Sequence, residues 1–191
     1  EPAAPAASPP ESAATATPPP AASAEFDPGS VPESTATLPP FPFFKIPDGL
    51  ESTFAEADKL VAFDRHYFIA GGKAMPVEGR IFHDRFNLAN GTRSYSDTEF
   101  RRNYENVIAA LGGRKINTTQ YTYEVMEAAG GRDALEKTNY AAGMNPDYPH
   151  DIYLLRQGGK EWWIDVSTGA FPLHGFVVVL EREGMKQSLG L

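Results

Sequence analysis

The chain contains no cysteine, which removes disulfide frameworks, thiol nucleophiles and Cys-ligated metal sites together. No apolar run approaches the about 20 residues that a membrane-spanning helix needs. The first forty residues hold no Lys or Arg and, beyond Phe26, Val31 and Leu38, no large apolar residue. GxSxG, HExxH, GxGxxG and Walker patterns are missing, so no nucleophile elbow, zinc helix, dinucleotide loop or phosphate loop can be read. With a net charge of −8, the chain has little to attract nucleic-acid phosphates or anionic lipid headgroups. The sequence assigns no catalytic residue and no cofactor.

What is present divides in two. Twelve of the 17 prolines fall within the first 42 residues, among Ala, Ser and Thr. Residues 1–40 cannot bury enough apolar surface to offset their ordering entropy, and are expected to form a disordered tether with polyproline II character. Such a coil of ~40 residues spans about 35 Å on average and up to ~120 Å when extended. A tether of this kind is what trimming of a secreted or lipid-anchored precursor leaves; an interdomain linker has the same composition. Residues 41–187 hold nearly all the aromatic side chains and are expected to form a single α+β domain. Residues 188–191 read as the start of a linker to a further C-terminal domain.

The segment Phe41 to Gly49 is apolar but broken by Pro42 and Pro47, which excludes a helix or a central strand and suggests an extended run across the core. Lys59 to Ala70 and Ala74 to Leu88 read as a hairpin around Gly71-Gly72-Lys73. A three-residue loop there sets Phe63 opposite Ile81, Tyr67 opposite Val77 and Ile69 opposite Met75, with Asp64 facing Arg80 and His66 facing Glu78. Ser96-Asp97-Thr98-Glu99 is a capping box, and Phe100, Tyr104, Val107, Ile108 and Leu111 recur behind it at helical spacing until Gly112-Gly113. Lys115 to Tyr123 has strand composition, and two short helical stretches follow at 124–129 and 132–137. Asp151 to Arg156 and Glu161 to Val166 flank a Gly158-Gly159 turn, and Phe176 to Glu181 reads as the last strand. The expected fold is an antiparallel or mixed sheet of about five to six strands, with one long helix on a face and the other face partly wet.

Few residues invite chemistry. Asp64 with His66, His83 with Asp84, and His150 with Asp151 are the metal or general-base candidates, with Asp64, His66 and His83 foremost. Adjacent strand residues point to opposite faces, so His83 and Asp84 cannot chelate together, and the cross-strand partners Arg80 and Glu78 give Asp64 and His66 an ordinary solvated role. Trp162 and Trp163 place one indole on each sheet face, one for the core and one as a candidate interaction anchor. Arg101 can pair with Glu105 on the outer helix face.

Several stretches carry a family likeness: Phe41-Pro42-Phe43-Phe44-Lys45-Ile46-Pro47-Asp48-Gly49, Arg102-Asn103-Tyr104-Glu105 running into Leu111-Gly112-Gly113, Asp151-Ile152-Tyr153-Leu154-Leu155-Arg156 with Trp162-Trp163, and the closing Val177 to Gln187. Over residues 39 to 187 the chain resembles the N-terminal domain of certain OmpA-family envelope proteins of Gram-negative bacteria. The resemblance implies an exported protein on the periplasmic side of the envelope, anchored at the outer membrane as a lipoprotein and partnered by another envelope protein. The Asn-x-x-Leu-Ser-x-x-Arg-Ala helix of the peptidoglycan-binding OmpA-like domain has no counterpart, so peptidoglycan contact would need a separate C-terminal domain and membrane contact an N-terminal lipid. The expected role is a non-catalytic interaction or spacer module on a flexible tether. A metal-dependent hydrolase or a small-ligand-binding periplasmic domain is the alternative.

Overall fold

In the computed structural model, which describes residues 25–137, 140, 148–169, 173–183 and 189–190, seven strands and three helices follow one another. They are β1 (Leu50–Ser52), β2 (Leu60–Ala70), β3 (Lys73–Leu88), α1 (Asp97–Ala110), β4 (Arg114–Thr119), α2 (Tyr123–Ala128), α3 (Arg132–Glu136), β5 (His150–Gln157), β6 (Lys160–Thr168) and β7 (Gly175–Arg182). All strand pairings are antiparallel, in the order β1-β3-β7-β6-β5-β4, with β2 also on β3. The α+β expectation holds: of the antiparallel and mixed alternatives the sheet is antiparallel, with seven strands instead of five to six, and α2 and α3 fall on the two short helical stretches beside the one long helix α1.

Turn chemistry, not side-chain matching, sets the first hairpin. Gly71 and Gly72 both have positive φ, 61° and 78°, as a two-residue type I′ turn requires. Ala70 therefore pairs with Lys73, Tyr67 with Pro76 and His66 with Val77, which overturns the three-residue loop. Pro76 is tolerated because β7 pairs with β3 only from Gly79 onward, so at Pro76 the strand has a single neighbour. A register shift between Val61 and Asp64 then brings Val61 opposite Ile81.

The sheet curls until the free edge of β2 approaches β4. A second irregularity, between Lys115 and Asn117, turns the Asn117 amide out of the β4–β5 ladder. Its Nδ2 donates to the Ile69 carbonyl at 2.8 Å and its Oδ1 accepts from the Gly71 N–H at 3.0 Å. One side chain thus stands in for a missing ladder and blunts two open edges. Phe68 and Ala70 consequently join Ile152, Leu154, Trp163 and Leu180 in a core enclosed by the curl. The face expected to be partly wet is covered.

The other face is closed by α1. The Ser96 hydroxyl accepts from the Glu99 N–H at 2.9 Å, starting the helix as the capping box requires. Phe100, Tyr104 and Ile108 are buried on the sheet, while Val107 is 46 % exposed and Leu111, at the C-cap, is only partly buried. The buried stripe is narrower than the periodicity implied, because the sheet meets the helix along the i, i+4, i+8 row alone. Val107→Ala is expected to change stability by less than about 0.5 kcal/mol in a urea titration; a loss above about 2 kcal/mol would put Val107 in the core.

The packed part of the chain begins earlier than composition suggests. Residues 25–40 pack on the domain: Val31 is buried in the enclosed core and the Phe26 ring meets Trp163 edge-on at 5.9 Å. The Ser34 N–H donates to the Arg156 carbonyl at 2.6 Å, the Gln157 amide donates to the Ala36 carbonyl at 2.7 Å, and the Ser34 hydroxyl donates to the Leu111 carbonyl at 2.5 Å. Gly112, with φ 84°, lets the chain pass this close to the helix end. A composition window misses this docking because the surface is supplied by Trp163 and by the β5 end, far away in sequence. The first 24 residues of the expected tether and most of 184–191, including the expected linker start, lie outside the described residues.

Candidate functional site

The enclosed core holds three ionisable side chains. Asp165 on β6 accepts from His66 Nε2 at 3.1 Å through Oδ2 and from His150 Nδ1 at 2.9 Å through Oδ1, with all three side chains no more than 1 % exposed. Burial pushes the Asp165 carboxyl up; the imidazoles, His150 first, outweigh it and hold the carboxyl well below the usual carboxylate range. Tyr121 packs edge-on against the His150 ring at 4.8 Å and donates its hydroxyl to the Tyr67 carbonyl at 2.9 Å. The Asp-centred pair of imidazoles resembles a proton-holding site in its chemistry, but no solute reaches it in this conformation. It joins β2, β5 and β6 from within.

The candidate metal ligands are drawn toward Tyr140. Its hydroxyl donates to Asp64 Oδ2, its backbone N–H approaches His66 Nδ1 at 3.5 Å, and its ring lies 4.9 Å from that of His83. His66 turns inward to Asp165, and burial lowers the pKa of His83, which stacks between Tyr140 and Phe54. Among the described residues, no group of three or more His, Asp or Glu side chains is arranged to hold a metal ion. The solvated cross-strand pairs expected for Asp64 and His66 are absent: Glu78 pairs with Arg65 at 2.6 Å, as the two-residue turn dictates, and Arg80 pairs with Glu181 of β7 at 3.2 Å. His150 and Asp151 part as expected of strand neighbours: Asp151 faces α1 and takes two bonds of 2.8 Å from Arg101. Arg102 is the one that pairs with Glu105, at 2.9 Å.

Neither tryptophan is an exposed anchor. Trp162 is 6 % exposed, donates to Glu181 Oε2 at 2.7 Å and lies 5.4 Å from the Phe43 ring. Trp163 is fully buried, donates to Glu161 Oε2 at 3.1 Å and sits between Phe26 and Phe68. The two faces were predicted correctly, but the chain preceding β1 covers both.

That preceding chain helps to build two accessible cavities. Phe41–Pro47 crosses α1 and the sheet as a strap, with Phe43 in the left-handed region at φ 76° and held there by ring contacts to Phe41, Phe44 and Trp162. Such a backbone costs about 1–3 kcal/mol, so the packing of this strap must over-determine it. On one side of the strap lies a cavity of about 470 Å³ walled by Phe44, Phe82, Phe86, Tyr104 and Val177. At its edge Lys59, 6 % exposed, pairs with Glu56 at 2.6 Å and Asp84 at 3.3 Å. The Glu56 bond raises the Lys59 pKa against the effect of burial, and Asp84 adds to it. On the other side a groove of about 690 Å³ runs between Pro39, Phe43, Ile46 and Pro47 of the strap and Tyr95, Asn103 and Val107 at α1. Tyr104 lines both hollows, and its buried hydroxyl has no hydrogen-bond partner among the described residues. The sequence placed the strap across the core, but Lys59 looked like an ordinary strand-start residue and Asp84 like the neighbour of His83. Comparison with family models, with curated proteins and with solved structures finds no match.

Proposed function

We propose that the chain is a non-catalytic interaction module of the Gram-negative cell envelope, presented on its N-terminal Ala/Pro-rich tether and docking an extended segment of another envelope protein. The tether composition and the OmpA-family likeness of residues 39 to 187 support the setting, which is the periplasmic side of the outer membrane. The groove between the strap and α1 carries the docking: Ile46 and Val107 expose 44 % and 46 % of their surface on its two walls. Asp48 and Glu99 outnumber Lys45 along it, and Asn103 and Asn106 add amide groups. A partner segment with an apolar side chain and a basic residue matches this lining. A spacer without a partner would need no such groove.

A photo-crosslinking amino acid in place of Val107 is expected to give one specific adduct in the native envelope, lost when Ile46→Glu is added. The same probe in place of the exposed Arg132 serves as control. Sequencing the adduct should return an extended apolar segment with Lys or Arg. An absent adduct, or one indifferent to Ile46→Glu, rejects the docking reading in favour of a spacer.

A further inference from the structure

We infer that the 470 Å³ cavity beside the strap is a binding site for an amphiphilic organic anion, with its carboxylate on Lys59 in place of Glu56 and its apolar body among Phe44, Phe82, Phe86 and Val177. The two carboxylates on Lys59 are not equivalent. Asp84 is 1 % exposed and fixed, since its Oδ1 accepts from the Ser52 hydroxyl at 2.5 Å and from the Arg85 N–H at 2.8 Å. Glu56 belongs to a single 3-10 turn, and its side chain is 88 % exposed although its carboxylate caps a nearly buried ammonium. Water can take Glu56 back at small cost, whereas Asp84 cannot leave without a buried charge losing its partners. Glu56 is therefore a resident, removable occupant of the anion seat.

Two further features point the same way. Lys45, exposed on the strap, lines the cavity and forms no ion pair among the described residues, so it supplies a second positive charge at the mouth. The Tyr104 hydroxyl in the wall is a buried donor with no partner among the described residues, an unmet bond of the kind a ligand's polar atom removes. A mostly apolar hollow with a few convergent polar groups is the usual form of a small-molecule site. A cationic ligand would meet both lysines, and a neutral one would leave Glu56 in place and gain nothing from Lys59.

Phe44, Lys45, Ile46 and Tyr104 border both hollows, but Lys59, Phe82, Phe86 and Val177 belong to this cavity and not to the partner groove, and Val107 to the groove and not to the cavity, so the two readings can be tested apart. The test is calorimetric titration of the whole chain with octanoate, octanol and octylammonium. Octanoate is expected to bind, the other two to bind at least tenfold more weakly or not at all. Glu56→Gln, an exposed change that leaves the fold intact, should tighten octanoate several-fold by removing the competing carboxylate, and Lys45→Ala should weaken it. Lys59→Met together with Asp84→Asn, which avoids leaving a buried charge unpaired, should abolish it. Octanoate failing to bind at millimolar concentration to both wild type and Glu56→Gln, octanol binding as tightly, or Glu56→Gln having no effect would each overturn the proposal. With the photo-crosslinking residue moved to the exposed groove position Asn106, Val107→Glu should remove the crosslinked partner and leave octanoate binding unchanged, so the two readings fail separately.

Discussion

Replacing Asp165 with alanine is expected to cost about 3–5 kcal/mol of folding stability, measured by urea unfolding at neutral pH. The carboxylate is the shared acceptor of His66 and His150 inside the curled sheet, and its removal leaves two buried ring N–H groups without an acceptor. A small cavity between β2 and β6 adds to the cost. Double-mutant cycles with His66→Ala and His150→Ala should show strong non-additivity, since the three groups act as one network. A loss under about 1 kcal/mol would mean that the network holds the strands no better than ordinary packing.

The pH dependence has a definite sign. The folded-state pKa of Asp165 lies below the unfolded-state value, so the unfolded chain takes up this proton first as pH falls. The contribution is complete above the ordinary aspartate range, near about 4, and is lost as pH drops from there toward the folded-state value. Asp165→Asn keeps the shape and cannot ionise, so its acid limb should be shallower than that of the wild type. An unchanged acid limb would show that Asp165 does not carry the effect.

Truncation should separate the two parts of the N-terminus. Removing residues 1–24, which contain nothing more apolar than Ala and Pro, is expected to shift the melting temperature by no more than about 1 °C. Removing residues 1–40 uncovers Trp163, deletes the buried Val31 and breaks the bonds of Ser34 and Ala36 to Leu111, Arg156 and Gln157. Apolar burial and hydrogen bonds of that extent contribute on the order of 3–5 kcal/mol, or about 10 °C for a domain of this size. Equal melting temperatures for the two truncations would show that residues 25–40 do not support the domain, and would return the boundary to residue 40.

How far the site could be read in advance follows the range of each interaction. Ser96 caps α1, and Gly112 ends it, through bonds spanning three or four residues, so both were visible in a short window. In the first hairpin facing apolar pairs do not set the register; paired positive φ values at Gly71 and Gly72 decide it, and a later bulge repairs the match. A solvated partner for His66 follows only from the three-residue loop. Its true partner, Asp165, lies 99 residues away and carries no motif of its own. The pairing of Lys59 with Asp84 is illegible for the same reason, since a Lys and an Asp 25 positions apart mean nothing until the start of β2 lies beside β3.

The amino-acid sequence by itself determined the division into a Pro-rich N-terminal stretch and an aromatic-rich domain, the α+β character, the capped helix and the proline-broken strap across the core. These depend on composition and on neighbours a few residues apart. Only the tertiary structure decided that residues 25–40 pack on the domain, that both tryptophans are covered, that the sheet is antiparallel throughout, and that it curls to enclose a His–Asp–His network. It also decided that Lys59 holds one carboxylate that can leave and one that cannot. Those outcomes depend on how strand edges and bulges bend the sheet, and such bending is settled by contacts between residues that no local pattern connects.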